Sequence, residues 1–190
     1  MPKRFDFVVI GSGIAGASAA YRLVQHGKTA LLDMEAQPGY HSTGRSAAQF
    51  TELYGNRTIR ALVRLSKDFL IDPPEGFSDS PILTPRGAMF VATAEQRPTI
   101  EAFLSMAKSE NCPVHELDVS GARDIVPVLQ PAAFKSAVLE SESMDMDVHG
   151  LHGGFLRGFR ASGGVVFTDV EGKGLERQGG VWRVNTPAGE

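Results

Sequence analysis

The chain has 190 residues, enough for one good core or a lobe and a half, and its 42% hydrophobic content is ordinary for a globular protein. A net charge of −3 with no block of Lys or Arg gives no sign of a nucleic-acid partner, and no apolar run reaches transmembrane length. The lone cysteine, Cys112 before Pro113, leaves no intramolecular disulfide framework and reads as a spectator rather than a nucleophile.

Met1-Pro2-Lys3-Arg4 is basic, but the apolar run after it, Phe5 to Ile10, is too short for a signal peptide and leads into glycines. It reads as the first strand, and a cytoplasmic protein follows as the default. Gly11-Ser12-Gly13-Ile14-Ala15-Gly16 comes next, then an amphipathic helix to His26 that Gly27 stops. Thr29-Ala30-Leu31-Leu32 is a second strand ending in Asp33, followed by the loop Pro38 to Ala48. Asn56 is a plausible cap for a helix whose face carries Ile59, Leu62, Val63, Phe69 and Leu70, ended by Asp72-Pro73-Pro74. Leu83 to Ala92 suggests a strand, and Glu95 to Ser109 a helix with Pro98 tolerable in its first turn. Pro113–Leu117 reads as a strand, Ser120–Ile125 as a short helix, and Ser136–Glu140 as a strand. Asp147 then caps a helix bearing Val148, Leu151, Phe155, Leu156 and Phe159, ended by Gly163-Gly164. Val165–Thr168 is a strand and Gly174–Thr186 a hairpin, in which Trp182 is expected to pack across to the partner strand. The last residues, Thr186 to Glu190, form a turn that should lead to another strand.

The G-x-G-x-x-G has the context that a dinucleotide fingerprint needs, since it follows a strand and opens a helix. Gly11 allows the tight turn, Gly13 lets a pyrophosphate approach the backbone, and Gly16 lets helix and strand pack closely. The helix N-terminus, with Ile14 and Ala15, offers unpaired N–H groups to the phosphates. Asp33 lies 22 residues after Gly11, where a carboxylate can accept from the ribose hydroxyls and would repel a 2′-phosphate. Met34, beside it, joins the cofactor-binding set. A glycine-rich turn in an unrelated α/β protein is the competing account, and strand, spacing, helix and acid together argue against it.

The loop PGYHSTGRSAA resembles the segment after the second strand in FAD-dependent amino-acid dehydrogenases and oxidases, the glycine oxidase and D-amino-acid dehydrogenase group. The wording is nearest to the D-arginine dehydrogenase type. The likeness continues through Phe50–Gly55, Asp72–Phe77 and Ile125–Leu129, and so covers essentially the whole chain. It implies FAD as cofactor and a fold of class α/β: a Rossmann-like FAD-binding lobe of the GR2 type with an inserted α+β substrate domain. The division implied is 1–80 and 145–190 for the FAD lobe and 81–144 for part of the substrate domain. Relatives run to roughly twice this length, so the resemblance makes this the N-terminal portion of an enzyme, its fold incomplete.

The loop suits a flavin. Ser42, Thr43 and Ser46 can hydrogen-bond phosphate, ribitol or the ring edge, while Gly44, Ala47 and Ala48 leave room for a flat ring. Arg45 either offsets pyrophosphate charge or forms a surface ion pair. The resemblance also implies that a backbone group of Val170 contacts the adenine, and that Tyr54 stands where relatives have an active-site tyrosine. Packing at a helix start is the equal alternative for Tyr54. Gln49 departs from the D-arginine dehydrogenase pattern, which has a histidine there, and cannot titrate.

No metal site is expected. His149 and His152 stand three apart on a helix and His41 is in the loop, but no Cys or carboxylate spacing completes a set, so solvent or packing roles suit them. Glu140, Glu142, Asp145 and Asp147 read as a solvated strand end plus a helix cap.

The function implied is oxidation of the α-carbon–nitrogen bond of an amino acid, of the D series by the nearest resemblance. Hydride goes to flavin N5 and the imine is hydrolysed to a 2-oxo acid and ammonia. Tyr54 and Gln49 are the catalytic candidates. The partner is a small amino-acid substrate, and nothing here specifies the electron acceptor. The competing accounts are a 2-hydroxy-acid or sarcosine-like amine oxidoreductase on the same scaffold, a truncated non-catalytic nucleotide-binding fragment, and an NAD-dependent dehydrogenase, against which the loop argues.

Overall fold

The structure is a computed structural model in which residues 3–187 are described. Met1-Pro2 and the final part of the C-terminal turn, residues 188–190, lie outside them. In chain order the elements are β1 (Phe7–Ile10), α1 (Ile14–Leu23), β2 (Thr29–Leu32), β3 (Gln49–Phe50), α2 (Arg57–Ile71), β4 (Leu83–Pro85), β5 (Ala88–Ala92) and α3 (Arg97–Ser109). They continue with β6 (Val114–Leu117), α4 (Val119–Ile125), β7 (Ser136–Glu140), β8 (Met144–Met146), α5 (Val148–Ala161), β9 (Val165–Phe167), β10 (Gly174–Gln178) and β11 (Val181–Asn185). The chain is a mixed α/β fold, as the sequence pattern implies.

The elements form two compact units. The first comprises Met1–Ala47, Pro73–Ile82 and Asp147–Glu190. Its parallel sheet has the order β1-β2-β9, with Val8 opposite Ala30 and Ala30 opposite Val165. β2 is central, so all four of its residues are buried, whereas β1 alternates between half-buried and exposed. α1 packs on α5, and small residues at Ala17 and Ala20 allow the close approach. Phe159 of α5 is wholly buried. Tyr21, Phe77 and Phe155 form an aromatic cluster with centroids 5.1–6.0 Å apart, the edge and tilted arrangements that ring quadrupoles favour. The Asp147 carboxylate accepts from Gly150 N–H at 2.8 Å and caps α5. Such a cap stabilises by about 1 kcal/mol. β10 and β11 make the expected hairpin; Trp182 faces Arg177 across it but stays 63% exposed, with the guanidinium 5.9 Å from its ring, so little packing results.

The second unit comprises Ala48–Asp72 and Leu83–Met146. It has two antiparallel sheets, β3-β8-β4 and β5-β7-β6. Ala92, Ile100 and Val138 form one apolar cluster, and Ala122, Phe134 and Ala137 another. Asn56 and Asp118 cap α2 and α4 through bonds from Ile59 N–H and Gly121 N–H.

The sequence pattern joins residues 48–72 to the first lobe, but here they belong to the second unit. β3 is held by β8, and Arg60 and Arg64 of α2 form ion pairs with Glu110. Leu83–Ala92 is not one strand. It breaks at Gly87, whose φ of +80° suits glycine, and the N–H groups of Arg86 and Gly87 both turn to the Ser143 carbonyl. The first helix ends at Leu23 rather than His26, because the His26 N–H closes a turn on the Leu23 carbonyl. Glu140 is not a solvated strand end: it is 4% exposed.

Candidate active site

The glycine turn has the geometry that its residue types imply. Gly11 has φ +92°, and its N–H donates to the Leu32 carbonyl at 2.8 Å, tying the turn to β2. A Cβ on Gly16 would lie 1.8 Å from the Gly11 carbonyl oxygen, so the helix can sit this close only without a side chain there. α1 opens at Ile14 with no side-chain cap on Gly13 and no acidic residue in its first turn. Its first turn therefore supplies no anion of its own to the N-terminal dipole. The Ile14 N–H donates to Thr43 Oγ1 at 3.0 Å, and a Cβ on Gly13 would come within 3.2 Å of the same hydroxyl. This brings the 38–48 loop against the glycine turn, as far as Thr43.

Asp33, at the end of β2, is already engaged within the fold. Its Oδ2 accepts from the Ser12 N–H at 2.6 Å and from the Ser12 hydroxyl, and its Oδ1 accepts from the Glu35 N–H at 2.9 Å. Burial pushes its carboxyl up. The Ser12 hydroxyl, the Glu35 and Ser12 N–H groups and nearby His41 outweigh that and hold it below the ordinary carboxylate value. It is an anion with acceptor capacity remaining on Oδ1. The Val170 N–H donates to the Asp33 carbonyl at 2.9 Å, which ties the segment after β9 to the end of β2. Met34 is 60% exposed beside it.

In the loop, Ser42, Gly44, Arg45, Ser46 and Ala47 are exposed, while Thr43 and Ala48 are half-buried. The Arg45 guanidinium lies 5.4 Å from the Tyr40 ring centroid, a cation–π contact rather than a surface ion pair. His41 pairs with Glu35 at 2.9 Å, and His149 is exposed. His152 is buried and its Nε2 lies 2.7 Å from the Ser12 carbonyl oxygen. The sequence reading gave it a solvent or packing role, which does not specify this partner. Among the described residues no group of three His, Cys, Asp or Glu side chains could hold a metal.

The second unit contains a cavity of about 540 Å³ whose wall includes Gln49, Thr51, Tyr54, Leu62 and Met146. The two catalytic candidates therefore share one cavity. The Gln49 side-chain amide donates to Ser143 Oγ, and that hydroxyl donates to the Phe50 carbonyl at 3.0 Å. Tyr54 is 73% exposed. Behind the wall the Thr51 hydroxyl donates to Glu140 Oε1 at 2.5 Å, and Glu140 Oε2 has no partner among the described residues. Burial pushes the Glu140 carboxyl up, the Thr51 bond opposes this, and Glu52 and Glu142 reinforce it.

Residues 6–190 match the family described as DAO, FAD dependent oxidoreductase, and the chain belongs to that family. The fold matches glycine oxidase from Geobacillus kaustophilus with a TM-score of 0.88 at 16% identity, over 99% of this chain and 53% of that one. It matches the FAD-bound L-alpha-glycerophosphate oxidase from Mycoplasma pneumoniae with a TM-score of 0.86 at 16% identity, over 98% and 50%. Iminodiacetate oxidase from Chelativorans sp. BNC1 is 25% identical with a TM-score of 0.76, over 97% and 52%. The chain thus spans about half the length of the solved structures it matches. The family's cofactor is FAD, and the residues fit it: a turn cleared of Cβ atoms, a helix start whose N-cap Gly13 has no capping side chain and whose Ile14 N–H meets only a neutral hydroxyl, and an ionised acid at the end of β2.

Proposed function

We propose that this chain supplies the adenine-dinucleotide half of the FAD site in an enzyme that oxidises a carbon–nitrogen bond of an amino acid. The observation that carries the reading is the pairing of the open glycine turn with the ionised Asp33 in a chain of this family. Gly11, Gly13, Ile14, Ala15 and Gly16 would take the pyrophosphate at the start of α1. Asp33 would accept from the ribose, with Met34 alongside and Val170 at the adenine. Ser42, Thr43, Gly44, Arg45, Ser46, Ala47 and Ala48 would lie along the phosphate, ribitol and ring edge. When bound, the flavin supplies the acceptor for the hydride of the substrate α-carbon. Residues 1–80 and 145–190 would then serve the cofactor and 81–144 the substrate, with the 48–72 segment contributing its cavity wall.

Tyr54 and Gln49 are the polar side chains that we assign to the substrate. Both line the same cavity. The Gln49 amide is oriented by Ser143, so its carbonyl is left to accept a substrate N–H. The exposed Tyr54 phenol can donate to a carboxylate. The loop wording favours a D-amino acid, and the similarity to iminodiacetate oxidase favours a secondary amine with a carboxylate; both are amino acids with an oxidisable α-carbon.

The test is a purified full-length flavoprotein. It should be yellow and release FAD, not FMN, on denaturation. With an artificial electron acceptor it should turn over a member of a panel of D-amino acids, glycine, sarcosine and iminodiacetate faster than any 2-hydroxy acid. A colourless protein that binds NAD tightly would overturn the cofactor reading, and preference for a 2-hydroxy acid would overturn the substrate reading.

A further inference from the structure

Ser12 is held from one side by an acid and from the other by a histidine. Ser12 gives both its N–H and its hydroxyl to Asp33 Oδ2. Its carbonyl oxygen accepts from His152 Nε2 at 2.7 Å, and because a carbonyl can only accept, Nε2 carries the hydrogen. His152 comes from α5, 140 positions along the chain. Its ring is 7% exposed and is itself seated: a Cβ on Gly39, where φ is +78°, would lie 2.8 Å from its Cε1. The Gly39 carbonyl in turn accepts from the Gly44 N–H at 2.8 Å. One imidazole therefore touches the start of the 38–48 loop and holds the middle of the glycine turn.

We propose that His152 is a positioning residue for the cofactor: by holding the Ser12 carbonyl it aims the Gly13 N–H at the pyrophosphate of FAD. The reason is the rigidity of the peptide. The C=O of Ser12 and the N–H of Gly13 belong to one planar trans unit and point in opposite directions. Fixing the oxygen on the α5 side fixes the hydrogen on the other. Gly13 adopts extended backbone with ψ −179° and carries no side chain that could hold the peptide itself. Without His152 the Ser12 carbonyl would be a buried acceptor with no partner, and rotation of the peptide to find one would turn the Gly13 N–H away from the anion. Asp33 does not replace this function, since it holds the preceding peptide N–H. The inference rests on the reading of Gly11–Gly16 as the pyrophosphate site.

The test uses three variants of the full-length flavoprotein, stripped of flavin and titrated with FAD by flavin fluorescence. His152→Phe keeps a ring against Gly39 but has no donor. His152→Asn is too short to reach the carbonyl and serves if the phenylalanine variant does not fold. His152→Gln places an N–H at the Nε2 position. The donor-loss variants should bind FAD about tenfold more weakly than wild type, the scale of one lost hydrogen bond that leaves a buried acceptor, and His152→Gln should restore most of the affinity. The phosphorus NMR signals of bound FAD should shift in the donor-loss variants and return in His152→Gln. FAD affinity and phosphorus signals unchanged in His152→Phe or His152→Asn would overturn the inference, as would equal weakening in all three, which would make the residue mere packing. Failure of wild-type protein to bind FAD at all would instead sink the reading of the glycine turn.

Discussion

The Ser12 N–H donates to Asp33 Oδ2 at 2.6 Å across 21 positions of sequence, so the glycine turn and the acid at the end of β2 are a single hydrogen-bonded assembly. The fingerprint residues are usually given separate tasks. Here one carboxylate shapes the turn and keeps a lone pair for a ligand.

Asp33→Ala should therefore act twice. On the proposed ribose role it removes an acceptor, weakening FAD binding by about 1–3 kcal/mol. It also releases the Ser12 N–H and hydroxyl and the Glu35 N–H, so the flavin-free protein should unfold at lower denaturant. Because the Asp33 carboxyl is held below its unfolded value, its stabilisation is present above that value and fades as pH falls through the folded one. The stability gap between wild type and variant should accordingly narrow in acid. Unchanged FAD affinity in a titration would refute the ribose assignment, and an unchanged denaturation midpoint would refute the structural one.

The glycines separate fold from binding. Gly16→Ala places a Cβ 1.8 Å from the Gly11 carbonyl oxygen, a clash with backbone that cannot yield easily. It should destabilise the flavin-free protein by about 2 kcal/mol or more. Gly13→Ala meets only the Thr43 hydroxyl at 3.2 Å, the end of a side chain. It should leave stability within about 0.5 kcal/mol of wild type while lowering FAD affinity, because on the proposed reading the methyl would occupy the approach of the phosphate. The reverse order of the two midpoints would show that the turn is arranged differently.

Tyr54→Phe decides between two roles. The side chain is 73% exposed, so loss of the hydroxyl should not move the melting temperature. If the phenol binds the substrate carboxylate, KM should rise about ten- to a hundredfold, the scale of a hydrogen bond to a charged group, with kcat less affected. A lowered melting temperature with unchanged KM would mean that Tyr54 only packs at the start of α2.

Much of the first unit was legible in the sequence, because its signals are local. Gly11 to Gly16 between an apolar run and a helix, Asp33 at a strand end, and the Asp147 cap each sit within a few residues of the structure they specify. What stayed hidden depends on partners far along the chain. β3 and β8 are two and three residues long and form through distant pairing, Gln49 with Asp145 and Phe50 with Met144, with β8 also paired to β4. Too few residues exist there for any periodicity. The break at Gly87 was masked by apolar residues on its C-terminal side, and its cause is the distant Ser143 carbonyl. His152 had a pattern compatible with packing, and only folding brings it to Ser12. Glu140 sat in an acidic run that looked solvated, while the antiparallel pairing of β5 and β6 on either side of β7 buries it.

That buried carboxyl carries a pH signature. Burial raises the Glu140 carboxyl above its unfolded value, with Glu52 and Glu142 nearby adding to the effect, while the Thr51 bond opposes it. A raised group binds its proton more tightly when folded. Its contribution to stability is fully present below the unfolded value and is lost as pH rises through the folded one. Glu140→Gln imitates the protonated form at every pH. Its amide oxygen can keep the Thr51 bond, and its NH2 takes the place of the unpartnered Oε2. Relative to wild type, the variant should therefore gain stability as pH rises from about 4 to about 7, on either side of the unfolded carboxyl value. Glu52 and Glu110 run the other way. Burial pushes Glu52 up, but Lys67 and Arg64 outweigh it and hold its carboxyl low, and hydrogen bonds from Arg64 and Arg60 hold Glu110 low. Both are present in wild type and variant alike and cancel in the comparison. Denaturant unfolding of the two proteins at both pH values measures the difference. A gap that stays constant, or moves toward wild type with rising pH, would show that Glu140 is already ionised and partnered in the folded protein.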